Sequence, residues 1–189
     1  LENKFVIGYV GTHGMAHALD NVLNAAELNK KHNNIFFLLV GAGAERDTLI
    51  KNAKKQNIKN VIFMPRQPKE MMPAVWSLCN VALVHLKNSP VFASVIPSKI
   101  FEAQAMGIPI LLASPKGEAS RIITNDKAGL HIAAEDPIAL AKAINNLATN
   151  NTNLEFYKEG ALKAAKSHSR ETQAHEMLDV FKETIGKSQ

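Results

Sequence analysis

Phe5-Val6-Ile7-Gly8-Tyr9-Val10-Gly11 is a nearly continuous apolar run that ends in glycine. It lacks the alternation of a half-buried strand, so a strand made from it is covered on both faces. Residues 16–31 follow with Leu19, Val22, Leu23 and Ala26 at helical spacing. The unit then returns. Ile35-Phe36-Phe37-Leu38-Leu39-Val40-Gly41 precedes a helix over 45–56, a strand over 60–64 precedes a helix over 69–78, and a strand over 81–86 precedes one over 100–106. Residues 108–113 with a helix over 118–124, then a strand over 129–133, complete the series. Six buried strands alternating with helices predict an α/β fold with a doubly wound, six-stranded parallel sheet, because right-handed crossovers place helices on both faces. Such sheets take ligands beyond the carboxyl ends of their strands, where strand order reverses. The loops after Gly11, Gly41 and Leu86 are therefore the candidate site loops.

The tail reads as helical. Asp136-Pro137 combines an N-cap with proline at the first helical position, Leu140, Ile144 and Leu147 form the buried stripe, and helices over 153–167 and 169–185 follow. Asn150-Asn151-Thr152-Asn153 marks a surface turn between them. With 189 residues, 46% of them apolar, and no repeat, linker or low-complexity segment, the chain is expected to be one domain over 1–189.

A net charge of +5 suits an anionic ligand. The basic residues are scattered and hardly interleaved with aromatics, which argues against nucleic acid; Lys51, Lys54, Lys55 and Lys59 read as the solvated face of a helix. A single cysteine, Cys79, excludes an intrachain disulfide and suits a reducing compartment. No metal site is expected, since the 7 histidines include no HExxH pair and Cys79 has no second cysteine at ligand spacing. No serine sits in a GxSxG elbow. No apolar run approaches the roughly 18 to 20 residues that span a bilayer, and the N-terminus has no signal-type segment, so a soluble, cytoplasmic piece is expected. A first residue of Leu1 rather than methionine is expected of a processed chain or, the favoured reading, of a segment of a longer one.

Pro97-Ser98-Lys99-Ile100-Phe101-Glu102-Ala103-Gln104-Ala105-Met106-Gly107 is the richest stretch for chemistry. Pro97 disfavours helix before it, Ser98 is a good N-cap, and Gly107 with Pro109 stops the helix. Its first amides lack intrahelical partners and carry the positive end of the dipole, so the end suits a phosphate, with Lys99 adding a full charge. Glu102 lies one turn on from Ser98, placed to accept hydrogen bonds from a pair of hydroxyls beside that anion. Phosphate plus diol describes a nucleotide. The other reading, a capping serine with a solvated glutamate, stays open.

Two glycine loops add weaker signals. In Gly11-Thr12-His13-Gly14 the backbone can approach a ligand closely and His13 can donate to a phosphate oxygen; an ordinary tight turn with a surface histidine is the alternative. Gly41-Ala42-Gly43 lacks the third glycine of a dinucleotide fingerprint, Arg46 standing there instead, and is read as structural. His17 and His85 read as surface or packed histidines, and Met71, Met72, Val75 and Trp76 as a core stripe.

Together these residues resemble the C-terminal, donor-binding domain of a family 4 (group 1) glycosyltransferase of the GT-B fold. The resemblance runs from the first strand and glycine loop through Val40-Gly41-Ala42-Gly43-Ala44-Glu45 and Asn60-Val61-Ile62-Phe63-Met64 to Phe101-Glu102-Ala103-Gln104-Ala105-Met106-Gly107-Ile108-Pro109-Ile110. It continues through Lys116-Gly117-Glu118-Ala119 and Ala128-Gly129-Leu130 into the closing helices. Ile96-Pro97-Ser98-Lys99-Ile100-Phe101-Glu102, with Thr12-His13-Gly14-Met15, is most similar to the bacterial branch that builds O-antigen and capsule, including N-acetylfucosamine transferases.

The resemblance implies metal-independent, retaining transfer from a nucleotide-diphosphate sugar, UDP first, with no cofactor. It implies an N-terminal acceptor domain absent from this chain, any peripheral contact with the inner membrane face falling to the whole protein. By the same resemblance Glu102 holds the ribose hydroxyls. The amides around Ser98 to Ile100, with Pro97, Lys99 and the His13-Gly14 loop, hold the diphosphate, and Pro65-Arg66 lie beside the base. The chain also departs from the family. The first glutamate of the E-x7-E motif falls on Ser94, and the basic pair usual after strand 1 falls on Thr12 and His17. Lys99 is expected to supply the missing charge as a leaving-group stabiliser. Two other functions remain at this point: a sugar-nucleotide epimerase of the same fold, and a non-catalytic nucleotide-binding subunit that works with a partner chain.

Overall fold

The fold follows from where the apolar runs can be buried. In the computed structural model, which describes residues 1–186, they form β1 (Phe5–Val10), β2 (Ile35–Val40), β3 (Val61–Met64), β4 (Val81–His85), β5 (Ile110–Ala113) and β6 (Gly129–Ile132). Positions 187–189, included in the single-domain expectation, lie outside the described residues. All six strands are parallel, in the order β3-β2-β1-β4-β5-β6. The helices are α1 (Leu19–Leu28), α2 (Arg46–Lys55), α3 (Met72–Ser77), α4 (Lys99–Ala105), α5 (Glu118–Asn125), α6 (Pro137–Thr149), α7 (Asn151–Ser167) and α8 (Arg170–Gly186).

Successive strand residues face opposite ways, and both faces are covered. Ile7, Tyr9, Phe37, Leu39 and Leu83 pack with Leu19 and Leu23 of α1, Leu49 of α2 and Leu140 and Ile144 of α6. Val6, Val10, Leu38, Val40 and Val84 pack on the other face with Trp76 of α3, Ile100 and Ala103 of α4 and Ile123 of α5. Each large side chain buried this way contributes about 1.5 to 3 kcal/mol against chain entropy. The chain winds outward from β1 through β2 to β3, then returns to the far side of β1 for β4, so strand order reverses between β1 and β4.

Several local expectations change. The helix over 16–31 begins only at Leu19, after a 3-10 turn at Met15–His17 and a left-handed Ala18 at φ 43. Residues 150–153 are not a free turn: the Asn150 side chain accepts from the Asn153 amide at 3.1 Å and caps α7, which starts at Asn151. Asp136 caps α6 as expected, accepting from the Ala139 amide at 2.8 Å. In the stripe expected over Met71 to Trp76, Val75 and Trp76 are core, whereas Met71, just before α3, is exposed and Met72 faces a cleft. Cys79 is free and buried, its thiol pushed up to about 12 by burial, which leaves it unreactive.

Candidate functional site

The loops after β1 and β2 are joined by backbone bonds that continue the sheet beyond its last strand residues. The Gly11 amide donates to the Val40 carbonyl at 2.9 Å, the His13 amide to Ala42 at 2.9 Å, and the Glu45 amide to His13 at 3.0 Å. This closeness explains two glycines: a Cβ on Gly41 would overlap the Gly11 carbonyl and one on Gly43 the His13 carbonyl, and both sit at positive φ, 152 and 155. The Gly41-Ala42-Gly43 loop is thus a packing device and also a wall of the site.

Over the carboxyl ends of β1, β2, β3 and β4, at the point where strand order reverses, lies a cleft of about 720 Å³. Gly11, Thr12 and His17 line it after β1, and Gly41 and Ala42 after β2. Arg66, Gln67, Lys69 and Met72 line it after β3, and Val95, Pro97, Ser98, Lys99 and Glu102 at the start of α4. Its volume is that of a small-molecule site, roughly 300 to 1,000 Å³. Arg66, Lys69 and Lys99 outnumber Glu102 among its charged residues, so the cleft favours an anion.

Lys99 is the central cation. Its Nζ lies 4.0 Å from the centroid of the Tyr9 ring, and no carboxylate stands within ion-pairing distance of it among the described residues. Burial lowers its pKa to about 8, against the opposing pull of Glu102 on the next turn. Glu102 is exposed, and its Oε1 accepts from the Ser98 hydroxyl at 3.4 Å. His17 lines the cleft with Nδ1 3.2 Å from the His85 carbonyl; burial, then Lys99, depresses its pKa below the usual histidine range.

The structure brings Arg66, Pro97, Ser98, Lys99 and Glu102 together and separates the rest of the expected set. His13, read from the sequence as a phosphate donor, is fully buried, its ring centroid 5.9 Å from that of Tyr9 and 6.4 Å from that of Phe63. Burial, then the nearby Arg46 and Lys99, lower its pKa to about 4, and neither ring nitrogen has a partner. His13 reaches the cleft only if that ring leaves its pocket. Ser98 does not cap α4 with its side chain; its own backbone is already helical at φ −56. The amide of Ile100 donates to the Pro97 carbonyl at 3.0 Å, and its side chain is core. The open helix end is thus narrower than the sequence implies. Gly14 and Pro65 are not among the lining residues, and exposed Ser94 sits in a 3-10 turn with its hydroxyl 3.4 Å from the Val91 carbonyl. Sequence reasoning missed Tyr9, Gln67, Lys69 and Met72. Tyr9 is hidden in an apolar strand, but Lys69, three positions past Arg66, is findable from the rule that loops after strands build the site.

The model of the glycosyl transferases group 1 family matches residues 1–164. The chain belongs to the group 1 glycosyltransferases. It is 31% identical over 147 residues, 77% of this chain and 36% of the relative, to a probable glycosyltransferase, WbjE, of Pseudomonas aeruginosa. The chain spans between 26% and 40% of the length of the curated relatives it matches. Its fold is similar to that of part of a sucrose-phosphate synthase from Thermosynechococcus elongatus, with a TM-score of 0.81 at 20% identity over 98% of this chain and 46% of that one. Anabaena Alr3699/HepE, solved in complex with UDP-glucose, gives a TM-score of 0.75 at 18% identity, covering 87% of this chain and 44% of that one. Among the described residues of this group 1 domain, no cluster of three or more His, Cys, Asp or Glu is placed to hold a metal. None of its described helices is long and apolar enough to cross a membrane.

Proposed function

We propose that the cleft binds the nucleoside-diphosphate end of a sugar donor, and that this chain is the donor-binding domain of a retaining, metal-independent glycosyltransferase. One observation carries the reading: an ammonium without a carboxylate partner, Lys99, one turn from an exposed carboxylate, Glu102, in a cleft where the strand order reverses. Lys99 meets the diphosphate and steadies its charge as the sugar departs, while Glu102 accepts from the ribose hydroxyls. Arg66, Gln67 and Met72 form the end of the cleft that takes the base. The remainder of a longer protein supplies the acceptor site. WbjE, a probable glycosyltransferase, and the UDP-glucose complex of HepE support this assignment. UDP is the first nucleotide to test, and the bacterial surface-polysaccharide role, with N-acetylfucosamine among its sugars, is the first biological setting, at the cytoplasmic face of the membrane.

Calorimetric titration with UDP, GDP, TDP and ADP sugars tests the reading. At least one is expected to bind. Glu102→Gln keeps the shape but loses the charge, and a charged hydrogen bond is worth about 1.5 to 3 kcal/mol, so affinity should fall about 10- to 150-fold with an unchanged melting temperature. An unchanged dissociation constant returns Glu102 to an ordinary surface charge.

A further inference from the structure

Lys99 and Tyr9 belong to opposite faces of the sheet. Tyr9 points to the side of α1 and α6, whereas α4, which carries Lys99, packs on the other. The lysine therefore reaches across the carboxyl edge of the sheet, beside β1, to lie over the tyrosine ring with Nζ 4.0 Å from its centroid. Two features hold that meeting point. The Tyr9 phenol donates to the Thr12 carbonyl at 2.8 Å, tying the ring to the loop after β1, and the rings of His13 and His17 flank it at 5.9 and 5.8 Å. Gly11 leaves the space: a Cβ there would stand 2.7 Å from the Lys99 Nζ. A lysine side chain on a cleft wall ordinarily samples many rotamers, and most of that freedom is lost when an anion binds.

We propose that Tyr9 is a positioning residue for the donor, its ring face seating the Lys99 ammonium over Gly11 so that the cation is already in place when a diphosphate arrives. The inference rests on the reading of the cleft as a donor site and adds the reason the lysine works from α4. The negative face of an aromatic ring attracts a cation most where water is scarce, and here the ring is fully buried at its base. Burial also depresses the Lys99 pKa, so the ring offsets part of a real desolvation cost. Tyr9 does not touch the donor. It acts through Lys99 alone, so the two residues should behave as one unit.

Two measurements on the purified protein decide this. In the nucleotide-free protein, the ε-methylene protons of Lys99 should resonate upfield of the usual lysine position through the ring current. Tyr9→Phe should keep that shift and Tyr9→Leu should lose it. In titrations with UDP, and with inorganic pyrophosphate as a base-free probe, Tyr9→Leu should weaken binding roughly 2- to 30-fold, the range of a cation–π contact, and Tyr9→Phe should restore most of it. In a Lys99→Met background, Tyr9→Leu should cost nothing more. An ordinary Lys99 shift in the wild type overturns the seat without needing any variant to fold. Wild-type binding with additive losses from the two substitutions overturns the coupling while leaving the donor site standing. Failure of the wild type to bind UDP, pyrophosphate or any other nucleoside diphosphate overturns the donor site and this inference with it.

Discussion

Lys99 answers to two demands that pull in opposite directions, and pH separates them. Its pKa lies at about 8 in the folded chain because burial penalises the charged form. An anion needs that charged form, so nucleotide affinity should be full below pH 8 and fall above it, by up to about tenfold per pH unit. Titrations at pH 7 and pH 9.5 check this, and Lys99→Met should flatten the difference. The stability of the free protein takes the other sign. Between pH 8 and lysine's ordinary range the unfolded chain binds the proton and the folded one does not, so the contribution of Lys99 to stability rises with pH there. At this scale the sequence reading singled out Lys99 from its place at a helix start and Glu102 from its spacing to Ser98, and the resemblance supplied their roles. It misplaced His13, because a loop histidine and a buried one look alike until the loops after β1 and β2 are seen to close over it.

The loops that follow β1 and β2 pack backbone against backbone, and two glycines there should respond very unequally to the same substitution. Gly41→Ala puts a methyl group into the Gly11 carbonyl at a φ of 152, so it should cost at least about 1 to 3 kcal/mol and loosen the cleft wall. Gly14→Ala meets only the Thr12 Cγ2, at 3.6 Å, with φ at −130, and should change stability by no more than about 0.5 kcal/mol. Denaturant melts of the two variants check both numbers. Strand and helix positions were legible because apolar runs and helical spacing are local. The 3-10 turn at Met15–His17 and the left-handed Ala18 were not, since no glycine or asparagine stands at position 18; the geometry there lets His17 meet the His85 carbonyl.

For the whole molecule, acid should unfold the chain early. His13 and His85 are both buried with pKa values near 4, mainly through desolvation, while the unfolded chain takes up their protons near pH 6.5. Stability should therefore fall from about pH 6.5 towards 4, by up to about 1.4 kcal/mol per pH unit for each histidine. Urea melts at pH 7 and 4.5 measure the loss, and His13→Gln should reduce it. Residues 1–189 alone are expected to bind a donor and yet transfer no sugar, because positioning against an acceptor, worth several powers of ten, needs a second wall. Product analysis with and without the remainder of a full-length protein is the check, and transfer by this chain alone would refute the donor-half proposal. The α/β class, the doubly wound parallel sheet and the stretch that opens α4 were all readable along the chain. Those follow from periodicities and capping signals that neighbouring residues carry. Which charges meet in one cleft, the inward turn of His13, and the meeting of Tyr9 on one face of the sheet with Lys99 from the other come from the packed fold. Such meetings depend on strand order and loop closure, which bring together residues 90 positions apart that no local pattern relates.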